Sequence, residues 1–320
     1  MKQRLIKLAQ KDRKNRTPRL FFTGFTMGMA DLVPGVSGGT IAFVLGIYDE
    51  LLFTVKQLTG AVPRLVLKGR FKEAVKLIPF GFILPLGVGI LSAIFGLVQV
   101  ITYLLENHAV LVWSLFFGLV IGSAFVVARR VPEWNVNRIV LLLLGFVLTF
   151  ALLGLPVMAA GTSGLALFAT GAVAISAMIL PGISGSLIMV MLGQYETVIG
   201  AVADRNVALL LWFAAGALVG LALFARLLSW LLHNFHAAVV AFLVGVMLGS
   251  LRKVWPWQEQ GTEKLYENVL PEMGWGLSLG ILLALVGMAL VWQLERLGIA
   301  KEHVDIESPD YTEEVTTRHD

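Results

Sequence analysis

The sequence predicts an all-α polytopic membrane protein made of two inverted repeats. Three observations predict it. First, 57% of the 320 residues are hydrophobic, 14% are charged and the mean hydropathy is +0.81, values outside the range of soluble domains. Second, several apolar runs reach the 18 or more residues that a helical crossing needs. Third, one motif occurs twice. Pro34-Gly35-Val36-Ser37-Gly38-Gly39 continues through Gly46 to Tyr48-Asp49, and Pro181-Gly182-Ile183-Ser184-Gly185-Ser186 continues through Gly193 to Tyr195-Glu196. The offset is 147 throughout, and 8 of the 16 aligned positions are identical.

Residues 1–19 form a basic arm with eight Lys/Arg, expected in the cytoplasm because positive charge is retained on that side. The arm leads directly into apolar sequence and does not read as a cleaved leader. The apolar stretch Leu20–Val55 is broken at Pro34, and its first arm, Leu20–Val33, has only 14 residues. Basic segments flank it on both sides, since Lys56–Lys76 carries six more Lys/Arg. It is therefore expected to enter and return as a re-entrant hairpin with its tip at Pro34–Gly39. Leu77–Leu105 then crosses outward and Val110–Ala128 crosses back to Arg129-Arg130. Repeat one is residues 20–128, and the linking span is 139–160.

Repeat two, residues 165–251, opens with the second interrupted stretch, Leu165–Ala203, its tip at Pro181–Ser186. Val207–Leu232 and Ala237–Leu251 cross next, Arg252–Met273 is an external loop, and the last span, 275–294, returns inside. The tail, 300–320, is polar and acidic, without periodicity, and is expected to be disordered. The single transmembrane domain thus covers 20–295, with about six full spans and two hairpins. Both termini are expected in the cytoplasm. Of the 25 Lys/Arg this threading places 20 inside, four outside and one, Arg226, within a span. The repeat extends beyond the motif: Gly118 and Gly122-Ser123 match Gly245 and Gly249-Ser250 at an offset of 127. One odd span joins the units, so the halves are expected to be inverted, the architecture of alternating-access transporters.

Interrupted helices paired in two repeats point to a substrate site, because backbone freed from a helix in lipid must line protein or a cavity. Pro34, Gly35, Pro181 and Gly182 supply the turns. The return arms begin near Ser37 or Gly38 and near Ser184 or Gly185, so two helix N-termini, each carrying unpaired N–H groups and partial positive charge, would face one another. Ser37, Gly38, Gly39, Thr40, Ser184, Gly185 and Ser186 are the candidate ligands for a phosphate, sulfate or carboxylate. Ser37 and Ser184 can equally serve as helix caps. Asp31, an acid inside an apolar stretch, is a candidate proton-coupling group or a partner for the tip's backbone donors; Met178 holds its place in the second copy. Arg226 is either a further phosphate ligand or a snorkelling side chain.

The pattern also excludes. There is no Cys, so neither a disulfide nor a thiolate metal site exists, and neither a metal nor a cofactor is expected. The net charge of +4 arises from short segments that set topology and does not indicate nucleic acid. Gly35-Val36-Ser37-Gly38 and Gly182-Ile183-Ser184-Gly185 fit the G-x-S-G of intramembrane serine proteases, but a nucleophilic serine needs a base, and the five histidines stand at span ends or in the tail. No catalytic residue is assigned and no enzyme is expected.

Ala30-Asp31-Leu32-Val33-Pro34-Gly35-Val36-Ser37-Gly38-Gly39-Thr40-Ile41-Ala42, with Pro181–Ser186, resembles a bacterial family once catalogued as a domain of unknown function and now assigned as polyprenyl-phosphate (undecaprenyl-phosphate) translocases. The resemblance covers about residues 17–295. It implies a flippase-like transporter in the bacterial cytoplasmic (inner) membrane. Such a transporter returns undecaprenyl phosphate from the outer to the cytoplasmic leaflet for carrier-lipid recycling in cell-envelope synthesis. Protons are a candidate coupling partner. A small-anion transporter or channel is the alternative, and an intramembrane serine hydrolase a more distant one.

Overall fold

The architecture comes from a computed structural model that describes residues 2–33, 37–155, 157, 161, 163–260 and 266–295, with side chains from residue 16 onward apart from 203, 260 and 266. Pro34, Gly35, the last residues of the expected 139–160 span and the 300–320 tail lie outside the described residues. The chain is helical almost throughout. Helix α1, Lys2–Asp31, carries the basic arm and the first apolar run as one element. After the tip, α2 (Gly38–Val44) begins with Ser37 as N-cap, its hydroxyl accepting from Gly39 N–H. Gly46, at φ +76°, ends that helix in a conformation that a side chain disfavours. Helices α3 (Tyr48–Thr59), α4 (Ala61–Leu67) and α5 (Phe71–Leu77) follow. The first long spans are α6, Phe80–Asn107, and α7, Ala109–Ala128, separated only at His108. Asn135 caps α8, Val136–Leu152, by accepting from Arg138 N–H.

The second half repeats this order. Ser163 caps α9, Gly164–Ile179. Beyond the second tip lie α10 (Gly185–Met191) and α11 (Tyr195–Ala203), broken at Gly193 with φ +66°. Helix α12 runs from Val207 to Ser250 with one non-helical residue, Phe235 (φ −134°, ψ 38°). Its counterpart at an offset of 127 is His108, at φ −138° and ψ 39°. At 44 residues α12 would be roughly 66 Å long if straight, twice a hydrocarbon core, so the break divides two span-length arms. A two-stranded antiparallel ribbon, β1 (Gln258–Gln260) with β2 (Tyr266–Asn268), precedes α13, Trp275–Leu294.

Close helix crossings occur in corresponding pairs in the two halves. A Cβ at Gly24 of α1 would overlap the Leu86 carbonyl of α6, and one at Gly171 of α9 would overlap the Phe213 carbonyl of α12. In return, Gly89 and Gly216 face the carbonyls of Phe21 and Phe168. On the other side of each half, Gly118 of α7 abuts the Ala284 carbonyl of α13, while Gly245 of α12 abuts the Leu142 carbonyl of α8. Gly287 and Gly145 complete these pairs against Leu115 and Phe242. Backbones approach this closely because small residues drive helix association where lipid removes the hydrophobic drive. Helix α8, expected only as a link, packs on α12 through Gly145 and Gly245 much as α13 packs on α7 through Gly287 and Gly118.

The central core joins the halves. Ala124 and Val127 of α7 pack with Val240, Leu243, Val244 and Met247 of α12, and with Phe43, Val44 and Tyr48 from the first hairpin. Large apolar side chains such as Phe95, Leu143 and Leu218 lie exposed on the outer faces, as lipid contact requires.

The structure adds detail to the expected architecture at three places. Each return arm is divided: α10 and α11 are bent by 112°, because the glycine between them takes a left-handed conformation. The basic segment Lys56–Lys76 is helical and holds the end of α3, then α4 and most of α5. The Arg252–Met273 loop contains the ribbon, so the fold is all-α apart from two three-residue strands. Among the described residues, four helices are long and apolar enough to cross a membrane, five if α10 and α11 count as one, with α8 and α9 shorter.

Candidate functional site

The two tips, far apart in sequence, meet. Gly182 N–H donates to Thr40 Oγ1 at 2.8 Å. The Ser37 hydroxyl donates to the Met178 carbonyl at 3.5 Å, and Tyr48 Oη donates to the Ile179 carbonyl at 2.8 Å. The first turn of α2 thus packs on the frayed end of α9, whose last carbonyls have no intrahelical partner. Gly39 belongs to the same contact, since a Cβ there would stand 3.1 Å from the Ile179 carbonyl oxygen. Gly182 has φ +93°, and its α-carbon faces Met247 of α12. Ser37, Gly38, Thr40, Pro181, Gly182, Ser184 and Gly185 are all buried, and Gly39 and Ser186 partly so.

Within this junction the tips differ. At the first, the Asp31 carboxylate accepts from Gly38 N–H at 2.7 Å. A Cβ at Gly38 would lie 2.6 Å from Asp31 Oδ2, so the close approach of Asp31 requires a glycine there. The chain therefore supplies its own anion to the α2 N-terminus. At the second tip Met178 replaces Asp31, and the Ser184 hydroxyl caps no backbone N–H of α10; it pairs instead with the hydroxyl of Ser186, in the first turn of that helix, at 2.8 Å. The hydroxyls of Ser37 and Ser184 engage backbone groups and another hydroxyl, with no histidine among those partners.

Arg226 lies elsewhere. Its guanidinium donates to the Thr59 carbonyl at 3.0 Å, at the end of α3. A cation there complements the negative end of that helix. The sequence reading gave no contact role to two residues that the structure places at the junction. Arg130 donates to the Val44 carbonyl at 2.9 Å and lies over the Phe43 ring, closing the C-terminus of α2; in the sequence it served only as a topology marker. Tyr48 is buried against α9, whereas its repeat mate Tyr195 is exposed, so a duplicated residue performs two tasks. The duplication was visible, but not which copy would turn inward.

This fold and site define a class: a polytopic helical membrane protein whose two internal halves bring interrupted helices together in a buried polar junction. The family profile described as VCA0040-like, undecaprenyl phosphate translocase-like, matches residues 27–269, and the chain belongs to that family. It is 38% identical over 243 residues to a protein of Vibrio cholerae serotype O1 named polyprenyl-phosphate transporter, covering 75% of this chain and 78% of that one. It is 28% identical over 251 residues to a protein of the same name from Staphylococcus aureus, covering 73% and 84%. No solved structure matches significantly.

Proposed function

We propose that this protein transports a polyprenyl phosphate, undecaprenyl phosphate in particular, from the outer to the cytoplasmic leaflet of the bacterial inner membrane, for reuse of the carrier lipid in envelope synthesis. Family membership supports the substrate, together with the names of both relatives. One structural observation carries the mechanism: the hydrogen-bonded meeting of the two interrupted stretches through Thr40 and Gly182. A lipid monophosphate has an anionic head that must pass the hydrocarbon and a long tail that can stay in it. The polar junction offers hydroxyl and backbone donors to such a head without presenting a fixed cation.

The head binds on the second-tip side, at Ser184, Gly185 and Ser186, with Ser37, Gly39 and Thr40 opposite. Gly38 N–H is already engaged by Asp31, which orders the first tip and is the candidate for proton coupling. Two inverted repeats exchange access by rocking about this junction, both termini staying cytoplasmic. No step requires a cofactor or a metal. Transport of a small anion is the second reading, favoured by the same donors.

The test is uptake of undecaprenyl phosphate in proteoliposomes, read leaflet by leaflet with a membrane-impermeant phosphatase. Protein-dependent protection of lipid first placed in the outer leaflet supports the proposal. Unchanged accessibility, with inorganic phosphate entering instead, assigns the small-anion reading.

A further inference from the structure

The first half carries a helix pair that the second half lacks. Where α11 passes to α12 through Arg205-Asn206, the corresponding stretch between α3 and α6 contains α4 and α5. A Schellman turn joins the two helices: Arg70 N–H donates to the Leu65 carbonyl and Gly69 N–H to the Val66 carbonyl, with Gly69 at φ +73°. Both helices are amphipathic. In α4, Val62, Leu65 and Val66 share one face, with Arg64 and Lys68 on the other; in α5, Phe71, Ala74 and Val75 share a face opposite Lys72 and Lys76.

Val62 and Leu65 are half-buried and Ala74 is buried, but the edge of each face and the flanking Leu67 and Leu77 are uncovered. Leu67 is 87% and Phe71 62% exposed, and Val66, Val75 and Leu77 are exposed as well. Arg64, Lys68, Arg70, Lys72 and Lys76 surround them, and the one acid, Glu73, is ion-paired with Arg70. The segment ends at Pro79, from which α6 enters the apolar region at once. An exposed apolar face continuous with a span, ringed by cations, has the chemistry of an interfacial helix on a negatively charged leaflet.

We propose that α4 and α5 lie on the bilayer surface as an anionic-lipid-binding helical hairpin. Phe71, Leu67 and Val75 sit among the acyl-chain ends nearest the headgroups, and the basic residues contact phosphatidylglycerol-type phosphates. The contact anchors the base of the first hairpin to the leaflet; the second hairpin has no such anchor.

The test needs no transport assay, so its result is independent of the substrate. The full-length chain, which has no native Cys, is made as Phe71→Cys, labelled with an environment-sensitive dye and placed in nanodiscs. The expected result is blue-shifted emission and quenching by doxyl-labelled lipid in discs containing phosphatidylglycerol, several-fold weaker in pure phosphatidylcholine and weakened by salt. Joint replacement of Arg64, Lys68, Lys72 and Lys76 by Gln should abolish the lipid dependence while elution and melting of the protein stay unchanged. A dye that remains open to iodide and insensitive to doxyl lipid in both discs overturns the proposal. So does equal quenching in both discs, which means apolar seating without headgroup recognition. The lipid comparison on the singly labelled protein decides the matter even if the multiple variant does not fold.

Discussion

Thr40 Oγ1 accepts the backbone N–H of Gly182 at 2.8 Å, a buried hydrogen bond between the two copies of the duplicated motif. Both partners are set by local structure. Ser37 caps α2 and so places Thr40 in its first turn, while φ +93° at Gly182 directs that N–H toward it. The bond fixes the tips relative to each other, and movement of one repeat against the other must preserve or replace it.

Thr40→Val keeps the shape but removes the acceptor. A buried N–H left unpaired costs ~1–3 kcal/mol, so the variant should melt measurably lower in detergent. Thr40→Ser should restore most of the loss. A Val variant as stable as the parent would mean that the bond contributes nothing.

Asp31 separates ordering from coupling. Asp31→Asn retains an acceptor for Gly38 N–H and should fold like the parent; Asp31→Leu should be destabilised, because it leaves that donor unpaired. Uptake against external pH then reads the second role. If Asp31 carries a proton, the Asn variant loses the pH dependence. Unchanged uptake and pH profile would remove Asp31 from coupling.

The glycine crossings predict matched effects in the two halves. Gly118→Ala and Gly245→Ala each drive a methyl group into a facing carbonyl and should cost about 1–3 kcal/mol or more, seen as lower melting temperature and yield. Gly96→Ala, on α6 with open space around it, should be neutral. Damage in only one half would contradict a repeated packing unit.

Arg226→Gln tests the two readings of that residue. Gln keeps a donor for the Thr59 carbonyl but no charge, so uptake should persist if Arg226 only holds the end of α3. Loss of lipid-phosphate binding at unchanged stability would return Arg226 to the site.

Topology can be read with single cysteines at positions 64 and 270. In intact cells, an impermeant reagent should label position 270, in the loop before α13, and spare position 64, in α4. The reverse pattern would sink the inverted arrangement.

The sequence by itself determined the class of the protein and where its apolar stretches are interrupted. Hydropathy marks the apolar elements because burying backbone in lipid leaves the chain little choice but helix. The Pro-Gly-x-Ser-Gly copies mark the two interruptions because Pro and Gly act locally, within a residue or two of where they stand. The start of α2 at Gly38, its Ser37 cap and the start of α10 at Gly185 follow from that local chemistry. Tertiary structure decided the rest. Asp31 turned to Gly38 N–H, Tyr48 inward and Arg226 to Thr59, and each of these depends on a neighbour brought by folding. The same holds for the pairing of α8 with α12 and α13 with α7. A glycine in a sequence announces only that a backbone can come close, and the packed structure alone says which one.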